Sequence, residues 1–196
     1  MEDFKWYENV PSNWKLMKIG SVFQPRNNKV NDTDYPPLSV SKGGIVPQMD
    51  GVAKSGANDN RKQVLKDDFV INSRSDRKQS CGVAAQDGSV SLINIVLSYD
   101  KSIVCPEYVN YLLKNYGFAE EFYRWGHGIV ADLWTTRWSE MKNIVVPIPP
   151  MNEQKTICEK ITKVEELIEQ KKKVIADLEL YKQSLVYELV TGKRRV

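Results

Sequence analysis

A chain of 196 residues, 41% of them apolar, can form one domain of about 150 residues together with an additional segment. Lysine and arginine exceed aspartate and glutamate by only three, so the net charge does not by itself indicate nucleic acid as a partner. Three widely spaced cysteines without a CxxC pair argue against a disulfide framework or a zinc site, and they favour the reducing cytoplasm. The sequence shows no signal-peptide pattern and no apolar run of the ~18 residues that a membrane span needs.

Short strands separated by turn residues are predicted along the first half of the chain. Four β-rich runs end at Gly, Asp, Asn or Pro, at residues 36–40, 43–47, 68–72 and 89–97. This spacing predicts a compact, curved antiparallel sheet. One helix is predicted over 106–122, because apolar residues recur there on one face, and a short one over 136–142. The predicted fold class is therefore α+β.

The strongest pattern lies in the last fifth of the chain, where no proline or glycine occurs between Asn152 and Val190. Apolar residues recur there in two interleaved series with seven-residue spacing, which is typical of a coiled coil. Asn152 is the predicted N-cap and Gly192 the predicted stop. One series contains Ile157, Val164, Leu178 and Leu185, the other Ile161, Ile168, Ile175 and Leu189, with Lys171 and Lys182 as polar exceptions.

A helix of this length would extend about 58 Å at roughly 1.5 Å per residue, which exceeds the width of a domain of this size. Its apolar series therefore needs a partner helix, which a second copy of the chain could supply. These patterns predict a globular domain at 1–150 and a dimerisation helix at 151–196. The eight apolar residues of the two series are the predicted dimer interface.

Motifs that carry catalysis are missing from the sequence. His127 is the only histidine, which excludes a multi-histidine metal site made by this chain alone. Neither a phosphate-binding loop of the GxxxxGK[ST] type nor a dinucleotide fingerprint is present, and the acidic residues form no nuclease constellation. We therefore predict a protein that is not an enzyme and that holds neither a cofactor nor a metal.

Basic and amide side chains gather instead in three predicted loops. Such side chains read base edges or hold phosphates, although most polar loops are simply solvated. For Arg74 two roles are open: it reads a base, or it pairs with Asp76 or Asp68 to hold its loop. The candidate DNA-binding residues are Arg26, Asn27, Asn28, Lys29, Lys54, Asn58, Asn60, Arg61, Lys62, Arg74, Arg77, Lys78 and Gln79.

A second cluster combines three tryptophans with two arginines, and it is the next choice for a DNA-binding surface. Because a tryptophan side chain carries a large apolar area, core packing is expected for at least two of the three. The cluster consists of Trp125, Trp134 and Trp138 with Arg124 and Arg137.

Five segments of the sequence match the pattern of one known family. They are Val10-Pro11-Ser12-Asn13-Trp14-Lys15-Leu16, Asp68-Phe69-Val70-Ile71-Asn72-Ser73-Arg74, Tyr108-Val109-Asn110-Tyr111-Leu112-Leu113, Asn143-Ile144-Val145-Val146-Pro147-Ile148-Pro149-Pro150-Met151-Asn152-Glu153-Gln154-Lys155-Thr156-Ile157 and Leu189-Val190-Thr191-Gly192-Lys193. The fourth segment, at the junction with the predicted long helix, is the most specific. With these motifs the chain resembles the specificity subunit of type I restriction-modification systems over nearly its whole length.

The resemblance implies one target recognition domain and one conserved helix, about half of a complete specificity subunit. It implies an antiparallel homodimer in which two recognition domains read the two halves of a palindromic duplex DNA site. It also implies two protein partners, a modification subunit that binds S-adenosylmethionine and a restriction subunit with motor and nuclease activity. The alternative is a coiled-coil adaptor whose globular head binds protein. The target bases and the length of the spacer do not follow from the sequence.

Overall fold

The computed structural model describes residues 6–48, 59–128 and 134–195. The chain divides into two compact units, Met1–Lys155 and Thr156–Val196. The functional boundary at residue 150 stays a prediction, because the two units are defined by compactness alone. Among the residues described, no helix is long and apolar enough to cross a membrane.

Strands and helices alternate irregularly along the first unit, as expected for the α+β class. The strands are β1 (Lys15–Lys18), β2 (Phe23–Pro25), β3 (Lys29–Val30), β4 (Leu38–Ser41), β5 (Gly44–Pro47), β6 (Arg61–Val64), β7 (Phe69–Asn72), β8 (Cys81–Val83), β9 (Gly88–Val90), β10 (Asn94–Tyr99) and β11 (Val145–Ile148). The helices are α1 (Ile19–Val22), α2 (Pro106–Lys114), α3 (Tyr116–Arg124), α4 (Trp138–Met141) and α5 (Met151–Val190), with a 3₁₀ turn at Ser75–Arg77. The predicted α+β class with a long C-terminal helix is confirmed.

The strands of the described residues form four small antiparallel sheets rather than the single curved sheet predicted from the sequence. The orders are β1-β11, β2-β10-β7-β8, β3-β6-β9 and β4-β5. The core joins three of these sheets, because β4, β6, β7, β9 and β10 each contribute to one buried apolar cluster. In β7, Phe69, Val70 and Ile71 are all buried, so both faces of this central strand are covered.

The predicted strand at 89–97 is in fact two strands in different sheets, β9 and β10. A turn at residues 91–93 separates them, and the side chain of Asn94 closes it by donating to the carbonyl and the hydroxyl oxygen of Ser91. The β-rich sequence is continuous across this turn. The interruption therefore comes from one asparagine side chain that competes with strand hydrogen bonding.

The helix predicted at 106–122 is likewise two helices, α2 and α3. Asn115 lies between them with an extended backbone (ψ 157°), and its side-chain oxygen accepts a hydrogen bond from the amide of Phe118. Asn115 therefore caps α3 instead of continuing α2. The predicted helix at 136–142 is shorter than expected and occupies only α4.

The long helix α5 begins at Met151, and Asn152 is not its N-cap. The carbonyl of Pro150 accepts hydrogen bonds from the amides of Glu153 and Gln154, so the proline stands at the cap position. The predicted stop at Gly192 is confirmed. Gly192 has a φ of +73°, and the amide of Arg194 bonds back to the carbonyl of Glu188, as in a Schellman-type ending.

The first turn of α5 is anchored in the first unit by two adjacent side chains. The completely buried amide of Gln154 donates to the carbonyls of Ile103 and Pro149 and accepts from the amide of Cys105. The carboxylate of Glu153 accepts from the indole of Trp14, and β1, which follows Trp14, pairs with β11. The residues that carry the family resemblance at the two ends of this unit therefore contact one another.

Candidate nucleic-acid interface

The ends of strands from two sheets meet at one side of the first unit. In one sheet Asn72, the last residue of β7, lies opposite Asn94, the first residue of β10. In the other sheet Lys62, near the start of β6, lies opposite Val90, the last residue of β9, and the turn at 91–93 joins the two sheets there. We call this side the loop edge, and it comprises residues 29–31, 59–62, 72–80, 91–94 and 134–135.

The loop after β7 is held in a defined shape by hydrogen bonds. The amide of Arg74 donates to the side-chain oxygen of Asn72, and the amide of Asn72 donates to the carbonyl of Ser80. From α3, the hydroxyl of Tyr123 donates to the carbonyls of Asn72 and Arg77, and burial raises the pKa of Tyr123. The side chains of this loop are therefore presented from a fixed backbone.

Ion pairs, within the loop and to α3, engage most of the predicted DNA-binding residues of this loop. Asp76 lies between Arg74 (Nε–Oδ1 3.1 Å) and Arg77 (Nε–Oδ2 3.6 Å), while Lys78 pairs with Glu120 at 3.0 Å. The pairing of Arg74 with Asp76 fits the loop-holding role, and Asp68 is not its partner. Exposed pairs of this kind contribute only about 0–1 kcal/mol, so a DNA phosphate can displace Asp76 at little cost.

A further segment lies beside this loop and extends the loop edge. Thr135 forms isolated β-bridges with both Arg74 and His127, and the amide of Ser75 donates to the carbonyl of Trp134. The Trp134 side chain is exposed. The loop after β7 and part of the tryptophan–arginine cluster, the two surfaces predicted to bind DNA, are therefore neighbours. Thr135 is a further residue of this edge, and the sequence analysis did not identify it.

The expectation of core packing for at least two of the three tryptophans is wrong. Trp125 and Trp138 are half-buried, and Trp134 is exposed. The indole of Trp125 donates to the buried carboxylate of Glu121, which also pairs with Arg124. An indole N–H needs such a partner, which keeps the ring of Trp125 at the margin of the core.

On the other side of the edge, the lysines of β3 and β6 face one another. Lys29 lies directly opposite Lys62, and like charges in this arrangement repel. The ammonium of Lys62 is half-buried and donates to the carbonyl of Asn94 at 2.7 Å, and burial lowers the pKa of this lysine. Lys29 is exposed, and Asn60, one residue before β6, is exposed as well.

Two of the predicted DNA-binding arginines are engaged elsewhere. Arg61 is only 7% exposed, and its guanidinium donates to the hydroxyl and the carbonyl of Ser89, so that it joins β6 to β9. Burial lowers the pKa of Arg61, with an opposing influence from Asp32. Arg26 binds the buried Asp68 through Nε (2.6 Å) and Nη2 (3.1 Å), at the end of β7 opposite to the loop edge.

The remaining candidates are spread over the surface. Gln79 adopts a left-handed backbone (φ +61°) and closes the loop after β7. Asn27 and Asn28 are exposed but precede β3, and the side-chain amide of Asn28 donates to the side-chain oxygen of Gln63. Lys54 and Asn58 lie outside the described residues. Within the described part of the chain, no group of three or more His, Cys, Asp or Glu residues is placed to hold a metal ion.

Comparisons with known proteins agree with this architecture. Residues 11–180 match the family described as type I restriction modification DNA specificity domain. The chain is 26% identical to a Methanocaldococcus jannaschii protein assigned as the specificity subunit of the type I restriction enzyme MjaX. The match covers 95% of this chain and 45% of that protein, so the chain spans about half the length of the relative.

Solved structures share the fold at low sequence identity. One comes from a study of complex assembly and conformational transition of the type I R-M system and has a TM-score of 0.64 at 16% identity. The alignment covers 91% of this chain and 45% of that chain. The HsdS subunit from Thermoanaerobacter tengcongensis gives 0.60 at 16% identity, covering 92% and 45%. The S subunit of the type I system from M. genitalium gives 0.56 at 18%, covering 94% and 47%. The chain therefore belongs to the family of the type I restriction modification DNA specificity domain.

Proposed function

We propose that this chain binds duplex DNA through the loop edge and reads one half of a bipartite site. The observation that carries the proposal is the meeting of strand ends from two sheets. It gathers cationic and amide side chains on a fixed backbone, namely Lys29, Asn60, Lys62, Arg74 and Arg77. Such side chains hold phosphates and read base edges, and sheet-supported loops can place them in a groove.

Arg77 is the best candidate for a phosphate contact at this edge. Its side chain is 66% exposed, and its distance of 3.6 Å from Asp76 makes this the longest ion pair of the loop. A cation with a weak internal partner has most to gain from a phosphate. Arg77 should therefore account for about one unit of the dependence of DNA affinity on salt concentration.

The test compares Arg77→Gln with Lys101→Gln as a matched control. Lys101 is also an exposed cation paired with an aspartate, but it lies beyond the opposite end of β10. Affinity of the full chain for duplex DNA is measured over a series of salt concentrations. We expect a shallower salt slope for Arg77→Gln and an unchanged slope for Lys101→Gln. Unchanged slopes for both variants would place the DNA surface elsewhere, and a wild-type chain without salt-dependent affinity would favour the protein-binding adaptor.

We further propose that two copies pair through α5, so that two recognition units face a palindromic site. Five residues of the predicted interface are exposed in the single chain, between 39% and 59%, and three are half-buried. The exposed ones are Val164, Ile168, Ile175, Leu178 and Leu189. A continuous apolar series on an exposed helix is stabilised when a second helix covers it, and a two-fold dimer presents two identical half-site readers.

Sedimentation of a double variant tests the pairing. Ile168→Asp with Ile175→Asp would bury two charges in the seam, which costs several kcal/mol. The matched control places the same two aspartates at Lys163 and Gln170, which are exposed and lie outside both series. We expect the seam variant to sediment as a monomer and the control as the wild type. A seam variant that associates normally would remove α5 as the main interface.

The wider complex follows from the family and is also a proposal. A modification subunit that binds S-adenosylmethionine and a restriction subunit with motor and nuclease activity would assemble with this chain in the cytoplasm. Methylation assays with the cognate modification subunit would reveal the target sequence and the spacer. We expect no methyl transfer from S-adenosylmethionine by the purified chain alone, and detectable transfer would contradict the non-catalytic assignment.

A further inference from the structure

The turn between β9 and β10 places two adjacent apolar side chains at the centre of the loop edge. Leu92 is 42% exposed and Ile93 is 39% exposed, although their sequence pattern predicts the interior of a strand. Single exposed apolar residues are common on protein surfaces and need no explanation. Two neighbours on one turn, surrounded by the residues proposed to bind DNA, are a feature for which the fold gives no packing reason.

Hydrogen bonds from β6, from the loop after β7 and from Asn94 itself fix the turn. Asn94 donates from its backbone and its side chain to Ser91, and the hydroxyl of Ser73 donates to the carbonyl of Ile93. The ammonium of Lys62 donates to the carbonyl of Asn94. A surface that is ordered before binding loses little conformational entropy when it makes a contact.

Polar residues flank the apolar pair on both sides. Towards β6, Ser91 follows Val90, which lies opposite Lys62, so that Leu92 lies at the same end of this sheet as Asn60. Towards β7, Ile93 is hydrogen-bonded to Ser73, which immediately precedes Arg74. The order across the edge is therefore polar, apolar, polar. In the major groove of duplex DNA the apolar group that lies among hydrogen-bonding groups is the C5-methyl of thymine.

We propose that Leu92 and Ile93 contact thymine methyl groups in the major groove and so determine specificity at those positions. This inference rests on the proposed binding of DNA at the loop edge. The partial burial of both side chains favours surface contact over insertion between base pairs. More than half of the surface of each residue is already covered, whereas a wedge must protrude far enough to separate two stacked bases.

The experiment removes the thymine methyl group from the DNA and, separately, the apolar side chain of Leu92 or Ile93 from the protein. A target duplex is first selected with the full chain from a random pool, and each thymine is then replaced in turn by deoxyuridine. Leu92→Ser and Ile93→Ser are compared with Leu16→Ser, a control at 52% exposure on β1. We expect deoxyuridine at the contacted position to weaken wild-type binding about fourfold, the value for losing one buried methyl-sized group.

The two turn variants should bind thymine and deoxyuridine sites equally, with an unchanged salt slope, and Leu16→Ser should behave as the wild type. The inference would be overturned if the turn variants bound DNA with wild-type affinity and deoxyuridine had no effect on binding by the wild type. In that case a reduced salt slope for Arg77→Gln would still support the proposed function. Increased fluorescence of 2-aminopurine beside the contacted base would overturn it in favour of insertion. Loss of binding to the modification subunit, with DNA affinity retained, would assign the turn to a protein contact instead.

Discussion

Replacing Arg26 with methionine should destabilise the first unit and leave DNA recognition unchanged. Arg26 and Asp68 share two hydrogen bonds of 2.6 and 3.1 Å, and these bonds raise the pKa of the Arg26 guanidinium against the opposing influence of burial. Methionine keeps the length of the side chain but removes both guanidinium hydrogen bonds to the carboxylate of Asp68, which is 5% exposed and also accepts from the amide of Leu65. Removing one partner of a buried pair costs about 3–5 kcal/mol. Because the Arg26 side chain is 21% exposed, water compensates in part, and we expect about 2–3 kcal/mol.

Urea and thermal unfolding followed by circular dichroism measure this cost at a fixed protein concentration. A loss of this size should lower the melting temperature by about 5–10 °C in a chain of this length. Lys101→Met is the control, because it removes an exposed ion pair with the neighbouring Asp67 and should cost no more than about 1 kcal/mol. Below the unfolding transition, Arg26→Met should bind DNA with the affinity and salt slope of the wild type.

Two results would refute this reasoning about Arg26. If Arg26→Met unfolded like the wild type, the pair with Asp68 would not stabilise the turn that precedes β7. If the same variant also lost about one unit of salt slope, Arg26 would contact a phosphate, and the loop edge would be too narrow a definition of the DNA surface. Loss of stability together with an unchanged slope is the combination that the structure predicts.

Two further predictions concern ionisable groups near the loop edge. Burial raises the pKa of the Cys81 thiol to about 12, so iodoacetamide should label it at about pH 8 only when the chain unfolds; rapid labelling of the native chain, followed by peptide mass spectrometry, would contradict this. Burial lowers the pKa of Lys62, so its charge is lost earlier than that of an exposed lysine as the pH rises. DNA affinity should therefore start to fall at a lower pH in the wild type than in Lys62→Arg as the pH is raised towards the ordinary lysine pKa of about 10.4, and parallel titrations would exclude Lys62 as a DNA contact.

Local sequence patterns predicted the loop after β7 but could not separate binding arginines from structural ones. The β-rich run at 68–72 followed by Ser, Arg and Asp residues correctly indicated a strand that ends in a polar loop. Arg26 and Arg61 lie in polar segments whose composition resembles that of the loop after β7. Their partners, Asp68 and Ser89, lie 42 and 28 residues further along the chain. Only the folded arrangement distinguishes these engaged guanidinium groups from the exposed one of Arg77.

The apolar pair at the centre of the loop edge was missed for a related reason. Leu92 and Ile93 continue the β-rich pattern of their neighbours, so periodicity places them inside a strand. The chain instead leaves one sheet and enters another between Val90 and Asn94, and the turn depends on a side-chain hydrogen bond that no local pattern encodes. The long helix, by contrast, was predicted almost to the residue, because nothing except its own uninterrupted sequence is needed to define it.

The family motifs at the two ends of the first unit have a structural role, whereas the motif at 68–74 ends within the loop edge. Trp14, Glu153 and Gln154 are engaged in hydrogen bonds that fix the first turn of α5 to β1, β11 and the segment before α2. None of these bonds involves a residue of the loop edge. Substitutions at Arg77, Asn60 or Leu92 can therefore change which DNA is bound without altering how the long helix begins. The motif at the start of α5 therefore holds the first turn of the long helix in place, while the side chains of the loop edge are proposed to determine which DNA is bound.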